Sequence, residues 1–525
     1  MPSSRKTSKR SKVHTKTAGD FSRAAGILLH ITSLPGPYGI GEVGEEAEDF
    51  IDFLKDSGQK YWQFLPLGPT TEGYFHSPYM GSSAFAGNPL MISTKNLVRE
   101  GWISGNDLKA LPEFSEYFVI FKNVVEFKER ILRKAFASFK KAGENPWFTE
   151  FCHNSPWLHD HALFESLRRK FNLLPWYEWP RDIAERRPDA LRSAERELSD
   201  DILYFKFVQF LFDTHWKDMR KKASEAGIRL IGDIPIYVAP DSDDVWANQD
   251  CFQLDSVSLR PMYVAGVPPD YFSKTGQLWG NPLYRWKGPG GRVNEAVYNW
   301  WKRRFERISS LVDVVRIDHF RGFESYWRVP AGEKTAINGK WIKGPGRAFF
   351  SRMGEAISTL DIIAEDLGTL TPEVEAMRDA LGFPGMKILQ FAFDSGPDNP
   401  YLPWNYRDTN CVVYTGTHDN DTTVGWFFDP GVSENSKRAA LRYANSDGAR
   451  IHMDFIRMAY SSIARLAMVP MQDVLGFGSD CRMNTPSTTS NNWVWRCAPR
   501  FITEDVARML EDEVRFYARY PQKRT

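Results

Sequence analysis

The sequence predicts an α/β chain built as a (β/α)8 TIM barrel with inserted helical and loop subdomains and no C-terminal β-domain. Three observations carry that expectation. Eight short apolar segments recur between stretches of helical periodicity. Carboxylates stand at the ends of several of those segments, the edge at which a barrel presents its chemistry. About thirty residues follow Trp495, too few for another domain.

The chain has 525 residues, more than one small core can organise, so insertions or several domains are expected. Residues 1–25 read differently from the rest: seven Lys/Arg face one acid, Asp20, a net +6 that leaves the remainder near −5 on a total of +1. This stretch lacks the apolar core of a secretory signal. It reads as a solvated, disordered basic tail, or as the remnant of a plastid-type targeting segment. From 26 to 525 one catalytic barrel is expected, with insertions at about 66–200 and 240–292.

Strands are expected at Gly26–Ile31, Tyr61–Leu65, Arg229–Ile234, Val312–Ile317, Ile362–Glu365, Met386–Phe391, Cys411–Thr415 and Met468–Val474. Between the first two, Glu42–Ser57 places Val43, Ala47, Phe50, Ile51 and Leu54 on one helical face and stops at Gly58. The gap from the second strand to the third exceeds what a barrel crossover needs. It holds an amphipathic helix, Val124–Lys141, and an aromatic stretch, Leu174–Pro180, which together suggest a helical subdomain. Asp201–Ala226 is long, amphipathic and closed by Gly227, and leads into the third strand. The next insertion is rich in Pro, Gly, Tyr and Trp and reads as loop. Asn294–Ser309 is a helix on Val297, Trp301, Phe305 and Ile308. Thr371-Pro372 starts another that ends at Gly382, and Arg450–Ala467 precedes the last strand.

Composition excludes several classes of function. A net charge of +1 offers no field for nucleic acid. No run of eighteen apolar residues is present to span a membrane. Five widely spaced cysteines without a CxxC fit free thiols in a reducing cytoplasm, and the sequence implies neither a metal nor another cofactor. Gly36–Gly41 lacks the Gly-Lys-Ser/Thr ending of a phosphate loop, which excludes that form of nucleotide binding.

The chemistry gathers on three segments. Val314, Val315 and Ile317 form a buried strand ending on Asp318, with Arg316 on the same face. The pair reads either as a structural salt bridge or as a catalytic carboxylate kept ionised by a fixed cation. Ile362–Gly368 offers Glu365 and Asp366, and Tyr414–Asp421 offers His418 and Asp419. Each acid taken singly could bond its own backbone. Three converging on one barrel mouth beside aromatic-rich loops suit glycosidic-bond chemistry.

Arg316-Ile-Asp-His319, Ala364-Glu-Asp-Leu-Gly368 and Thr417-His-Asp-Asn420 resemble the three catalytic regions of the α-amylase superfamily. Gly26–His30, Leu34–Gly41, Ser77-Pro-Tyr79, Gly232–Val238, Gly266–Ser273, Trp279–Tyr284, Gln472–Gly476 and Arg482–Pro486 narrow the resemblance. Over residues 24–500 the chain is similar to the 4-α-glucanotransferases called amylomaltases or disproportionating enzymes. That family lacks the amylases' C-terminal β-domain. The resemblance implies Asp318 as nucleophile, Glu365 as acid/base and Asp419 as transition-state stabiliser.

It further implies substrate contacts at Tyr79, Asp233, Asp270, Trp279, Arg316, His319, His418 and Asn484. Tyr79 and Trp279 suit stacking on glucose, although Trp279 suits core packing as well. The two histidines suit sugar hydroxyls or a structural role, and Asp270 suits a mobile loop or a turn cap. The implied partners are α-1,4-glucans and malto-oligosaccharides. The implied reaction is retaining transfer of a glucan segment to another glucan's 4-hydroxyl. An amylase-like hydrolase and a non-catalytic glucan-binding protein are the alternative readings. Ser487 stands where the family pattern has glycine after Asn-Thr-Pro.

Overall fold

The computed structural model describes residues 22–520 except 110, 270–272 and 369. Most of the basic tail expected at residues 1–25, and Asp270, therefore lie outside the described residues. Eight parallel strands form one sheet: β1 (Ala24–Leu28), β2 (Tyr61–Gln63), β3 (Arg229–Pro235), β4 (Val314–Asp318), β5 (Asp361–Ala364), β6 (Gly385–Ile388), β7 (Cys411–Tyr414) and β8 (Leu466–Pro470). They pair in chain order from β1 to β5, and β6 to β8 return to β1. The remaining seam is bridged by the Ala364 N–H donating to the Pro384 carbonyl at 2.9 Å. The expected barrel is the observed architecture.

Alternation along the strands builds the interior in layers. Tyr61, Ile231, Val314, Ile363, Met386, Val412 and Leu466 belong to one buried apolar cluster inside the barrel. Gly26 lies in this layer because a Cβ there would sit 2.6 Å from that of Tyr61 and 2.8 Å from the Met468 sulfur. Two residues further along β3 and β4 stand Asp233 and Arg316, directly opposite one another in register. Asp318 follows at the rim. The period of two thus converts the pattern Val314, Arg316, Asp318 into an apolar floor, a buried cation and an accessible carboxylate.

Helices cover the outside. Glu45–Asp56, Ser199–Glu225, Glu295–Leu311, Pro372–Leu381 and Ile451–Ser461 match the expected ones, with shifted ends. The last departs most, since it stops at Ser461 and Leu466 already belongs to β8. Strand ends differ too. The segments 389–391 and 471–474, read as strand continuations, turn into helical turns. Apolar runs do not reveal where a buried strand gives way to a buried turn. The helical insertion contains Phe121–Ala142, Pro146–Asn154, Leu158–Lys170 and Pro188–Glu197.

The second insertion is more regular than its composition suggests. Tyr263–Val267 and Gln277–Pro282 pair antiparallel, and Ser325–Pro330 with Lys340–Lys343 completes a four-stranded sheet beside the mouth. Half of that sheet comes from chain beyond β4. Its central ladder, Tyr263–Val267 with Ser325–Pro330, is therefore long-range, and glycine- and proline-rich local sequence gives no sign of it.

The base of the barrel is tied by arginines. Arg519 is fully buried and donates to the carbonyls of Tyr460, Ala24, Ala459 and Ser462 at 2.8–3.1 Å. Arg23, within the stretch expected as tail, reaches the Ser462 carbonyl at 2.7 Å and that of Tyr460 at 2.6 Å and is packed on the barrel. Among the described residues the chain closes on the helix Glu504–Phe516, which packs on Glu45–Asp56, with no β-domain after the barrel. No described helix is long and apolar enough to cross a membrane.

Candidate active site

Arg316 is the hub of the barrel mouth. It is buried, with one guanidinium nitrogen 2.5 Å from Asp233 and the other 2.9 Å from Asp318. A cation shared by two carboxylates fixes their orientation, and at Asp233 it opposes the burial that raises that group's pKa to about 7. Asp318 remains partly open to the mouth, with 28% of its side chain exposed, whereas that of Asp233 is fully covered. Asp233 also accepts from the Tyr79 hydroxyl at 2.7 Å. It therefore sits beneath the site, out of a sugar's reach. The residue expected as a substrate contact has its side chain covered here and bonded to Arg316 and Tyr79, because β3 turns it into the polar layer under the rim.

Glu365 is the first residue after β5. Its N–H continues the sheet ladder to the Ile317 carbonyl at 3.0 Å. Its carboxyl accepts from the backbone N–H groups of His319 at 2.7 Å and Leu367 at 2.8 Å. Burial and then the charge of Asp318 raise its pKa to about 7, against the opposing pull of Arg316. Asp366, the acid next in sequence, does not face it. Asp366 is buried and bonded to Arg378 and to the Met386 N–H, so its charge is satisfied on the β6 side. The acid that loads Glu365 is Asp318.

Asp419 lies on the loop after β7, with 48% of its side chain exposed. Its carboxylate accepts from the Asn484 side-chain amide at 2.6 Å and stands 3.3 Å from the His418 ring nitrogen. Asn484 therefore acts on the third acid directly, and its own N–H donates to the His418 carbonyl at 3.1 Å. Arg482 is not among the site residues that the resemblance implies. It donates to the backbone carbonyls of Asp419 at 2.6 Å and Asn484 at 2.7 Å. The Arg482–Pro486 motif was the available signal.

Rings line the space between the acids. Tyr79 stacks on His418 with centroids 5.1 Å apart, and Trp493 lies 5.8 Å from Tyr79. Nothing in the sequence marked Trp493, which reaches this position through a left-handed backbone. Trp279 is half-buried on its strand and meets His319 edge-on at 4.8 Å. His319 adopts φ = 50°, which turns the chain away from β4 and presents its N–H to Glu365. Burial depresses the pKa of both histidines, that of His319 to about 3, so both are neutral hydrogen-bonding rings at neutral pH. His30 is likewise buried and neutral, and its ring nitrogen accepts from the Leu65 N–H at 3.3 Å.

The arrangement offers a partly exposed carboxylate paired with a cation, a buried carboxyl whose pKa is raised to about 7, and a third carboxylate on the loop after β7 near aromatic rings. Among the described residues no cluster of three or more His, Cys, Asp or Glu could hold a metal ion.

Comparison with known proteins agrees with this geometry. A sequence profile of the 4-alpha-glucanotransferase family matches residues 29–502. A 4-alpha-glucanotransferase of Synechocystis is 48% identical over 505 residues, covering 95% of this chain and 98% of that protein. One from Thermus thermophilus is 46% identical over 491 residues, covering 91% and 96%. The solved amylomaltase of Streptococcus agalactiae in complex with acarbose superposes with a TM-score of 0.89 at 36% identity. That superposition covers 95% of this chain and 100% of the other. Barrel, matched length and identity together establish that the chain belongs to the 4-alpha-glucanotransferase family.

Proposed function

We propose that the protein transfers segments of α-1,4-glucan between chains by a retaining double displacement. Asp318 attacks the anomeric carbon, and Glu365 donates its proton to the departing glycosidic oxygen. A glycosyl ester on Asp318 results. Glu365, now ionised, removes the proton from an incoming 4-hydroxyl as that oxygen displaces Asp318. The observation that carries the reading is the unequal treatment of two neighbouring carboxyls. Arg316 pairs with the partly exposed Asp318 at 2.9 Å, while burial and then the charge of Asp318 raise the pKa of Glu365 to about 7 and favour its protonated form.

Asp419, set by Asn484 and Arg482, supplies negative charge toward the cationic sugar ring of the transition state. Tyr79 and Trp279 offer ring faces to glucose, and His319 and His418 offer neutral ring nitrogens to its hydroxyls. Arg316 serves the acids, and Asp233 serves Arg316. The five free cysteines suit a reducing compartment such as the cytoplasm.

The test is incubation with maltotriose. Glucose together with longer oligosaccharides, at a constant number of reducing ends, is the expected outcome. A net gain of reducing ends would replace transfer with hydrolysis, and no turnover by a folded protein that binds maltosaccharides would leave only a binding function.

A further inference from the structure

The loop that carries His418 and Asp419, residues 416–422, runs from Thr415, directly after β7, to Thr423, which opens the short helix Thr423–Phe428. Both end residues are buried, and both bond the same buried side chain, that of Asp473. Asp473 Oδ2 accepts from the Thr415 hydroxyl at 2.5 Å and from the Thr423 hydroxyl at 2.8 Å. Its Oδ1 accepts from the Thr423 N–H at 2.6 Å, a group at a helix start with no partner inside its own helix. The two ends of the loop thus meet on one carboxyl group.

Asp473 stands on the helical turn Met471–Val474 that follows β8, and the same turn reaches a second loop. The Gln472 side-chain amide donates to the Cys481 carbonyl at 3.2 Å, one residue before Arg482. Arg482 and Asn484 are the groups that bond Asp419 from that side. The Ser479 hydroxyl joins the two loops by donating to the Asp421 carboxylate at 2.8 Å. Asp419 itself is far less enclosed, with 48% of its side chain exposed. An open carboxylate has little packing of its own, so its placement is inherited from the residues that hold its loop.

We propose that Asp473 is a positioning residue for Asp419, acting through both ends of the 416–422 loop. The inference rests on the role given to Asp419 above. Without the Asp473 carboxyl, a buried N–H and two buried hydroxyls lose their acceptor. The loop ends are released from one another, and Asp419 moves off the place where positive charge develops on the sugar. Burial raises the Asp473 pKa, and the three donors oppose that rise. The ties survive in either charge state, because Oδ1 serves the N–H and a threonine hydroxyl can donate or accept. Asp473 is 1% exposed and does not touch substrate, so its loss acts on kcat more than on KM.

The experiment is a double-mutant cycle of Asp473→Ala and Asp419→Asn, with α-maltosyl fluoride as donor and fluoride release as readout. Departure of fluoride needs no proton donor, which keeps slow variants measurable. Asp473→Ala alone should lower kcat about 10- to 100-fold with KM within about threefold. In the chain already carrying Asp419→Asn it should cost nothing further. An equal loss in both backgrounds, or a folded Asp473→Ala variant with wild-type kcat, overturns the proposal. If Asp473→Ala fails to fold, Thr415→Val and Thr423→Val decide. Each cuts one tie at nearly constant volume, and each should cost about threefold in kcat, again only where Asp419 is present. A wild-type protein that leaves maltotriose unchanged would instead refute the proposed function. The positioning is then read from crystal structures: Asp419 displaced from Asn484 in the variants supports it, and Asp419 unmoved overturns it.

Discussion

Asp318→Asn tests the assignment of the nucleophile most directly. The amide keeps the shape of the side chain and removes its charge. Three consequences follow from its surroundings. Turnover should fall by at least about 10³-fold, roughly 4 kcal/mol of barrier, because no other described carboxylate shares the open position beside Arg316. Stability should change little. Breaking a fully buried ion pair by removing one partner costs about 3–5 kcal/mol. Here Asp318 is 28% exposed and Arg316 keeps Asp233, so about 1–2 kcal/mol is the expected scale. Thirdly, Glu365 loses the nearby anion that, after burial, contributes most to its raised pKa. Its proton should become easier to remove, and any residual activity should decline at lower pH than in the wild type. The assays are maltotriose product chromatography, thermal unfolding and maltosaccharide binding. Activity within tenfold of wild type, in a variant that binds and unfolds normally, would show that Asp318 is not the nucleophile.

Other expectations follow from the same geometry. With Glu365 raised to about 7, wild-type kcat/KM should decline as pH climbs through neutrality, since the donor loses its proton; a flat profile to pH 9 would contradict that role. In stability the sign is the same. A carboxyl whose folded pKa lies above its unfolded value of 4.5 contributes fully below that value, and the contribution fades as pH rises through about 7. Ser487 has φ = 66°, a left-handed conformation that a glycine adopts without strain, so Ser487→Gly should stabilise by up to about 1 kcal/mol in equilibrium unfolding. Arg519→Met removes a buried guanidinium that ties the chain's end to Ala24 and to the end of Ile451–Ser461, and should destabilise by about 3 kcal/mol or more; an unchanged melting temperature would show the clamp to be idle. First products should be α-anomers by NMR, and the Asp318 and Glu365 carboxyls should lie about 5–5.5 Å apart in a substrate complex; a gap near 9 Å would refute retention.

Local sequence determined a good deal. Apolar runs with alternating patterns located all eight barrel strands. Val314, Arg316 and Asp318, two residues apart, already specified a floor, a cation and a carboxylate on one face, because strand periodicity is local. Helix termination at Gly58, Gly227 and Gly382 was legible for the same reason, since each adopts the left-handed turn that glycine permits. Ser487 was legible as a departure, though its left-handed backbone was not.

Tertiary structure decided the rest, wherever a residue's role depends on a partner far along the chain. Asp233 looked like a substrate contact and proves to be the buried partner of Arg316, 83 residues away. Asp366, adjacent to Glu365, looked like its electrostatic neighbour, but Arg378 and the Met386 N–H hold it on the other side of β5. Trp493 carried no signal, and only the folded loop brings it beside Tyr79. The four-stranded sheet beside the mouth gave no local sign because its central ladder joins segments on either side of β4. Periodicity and turn chemistry are written residue by residue. Pairing, burial and the charge state of Glu365 depend on which groups the closed barrel brings together.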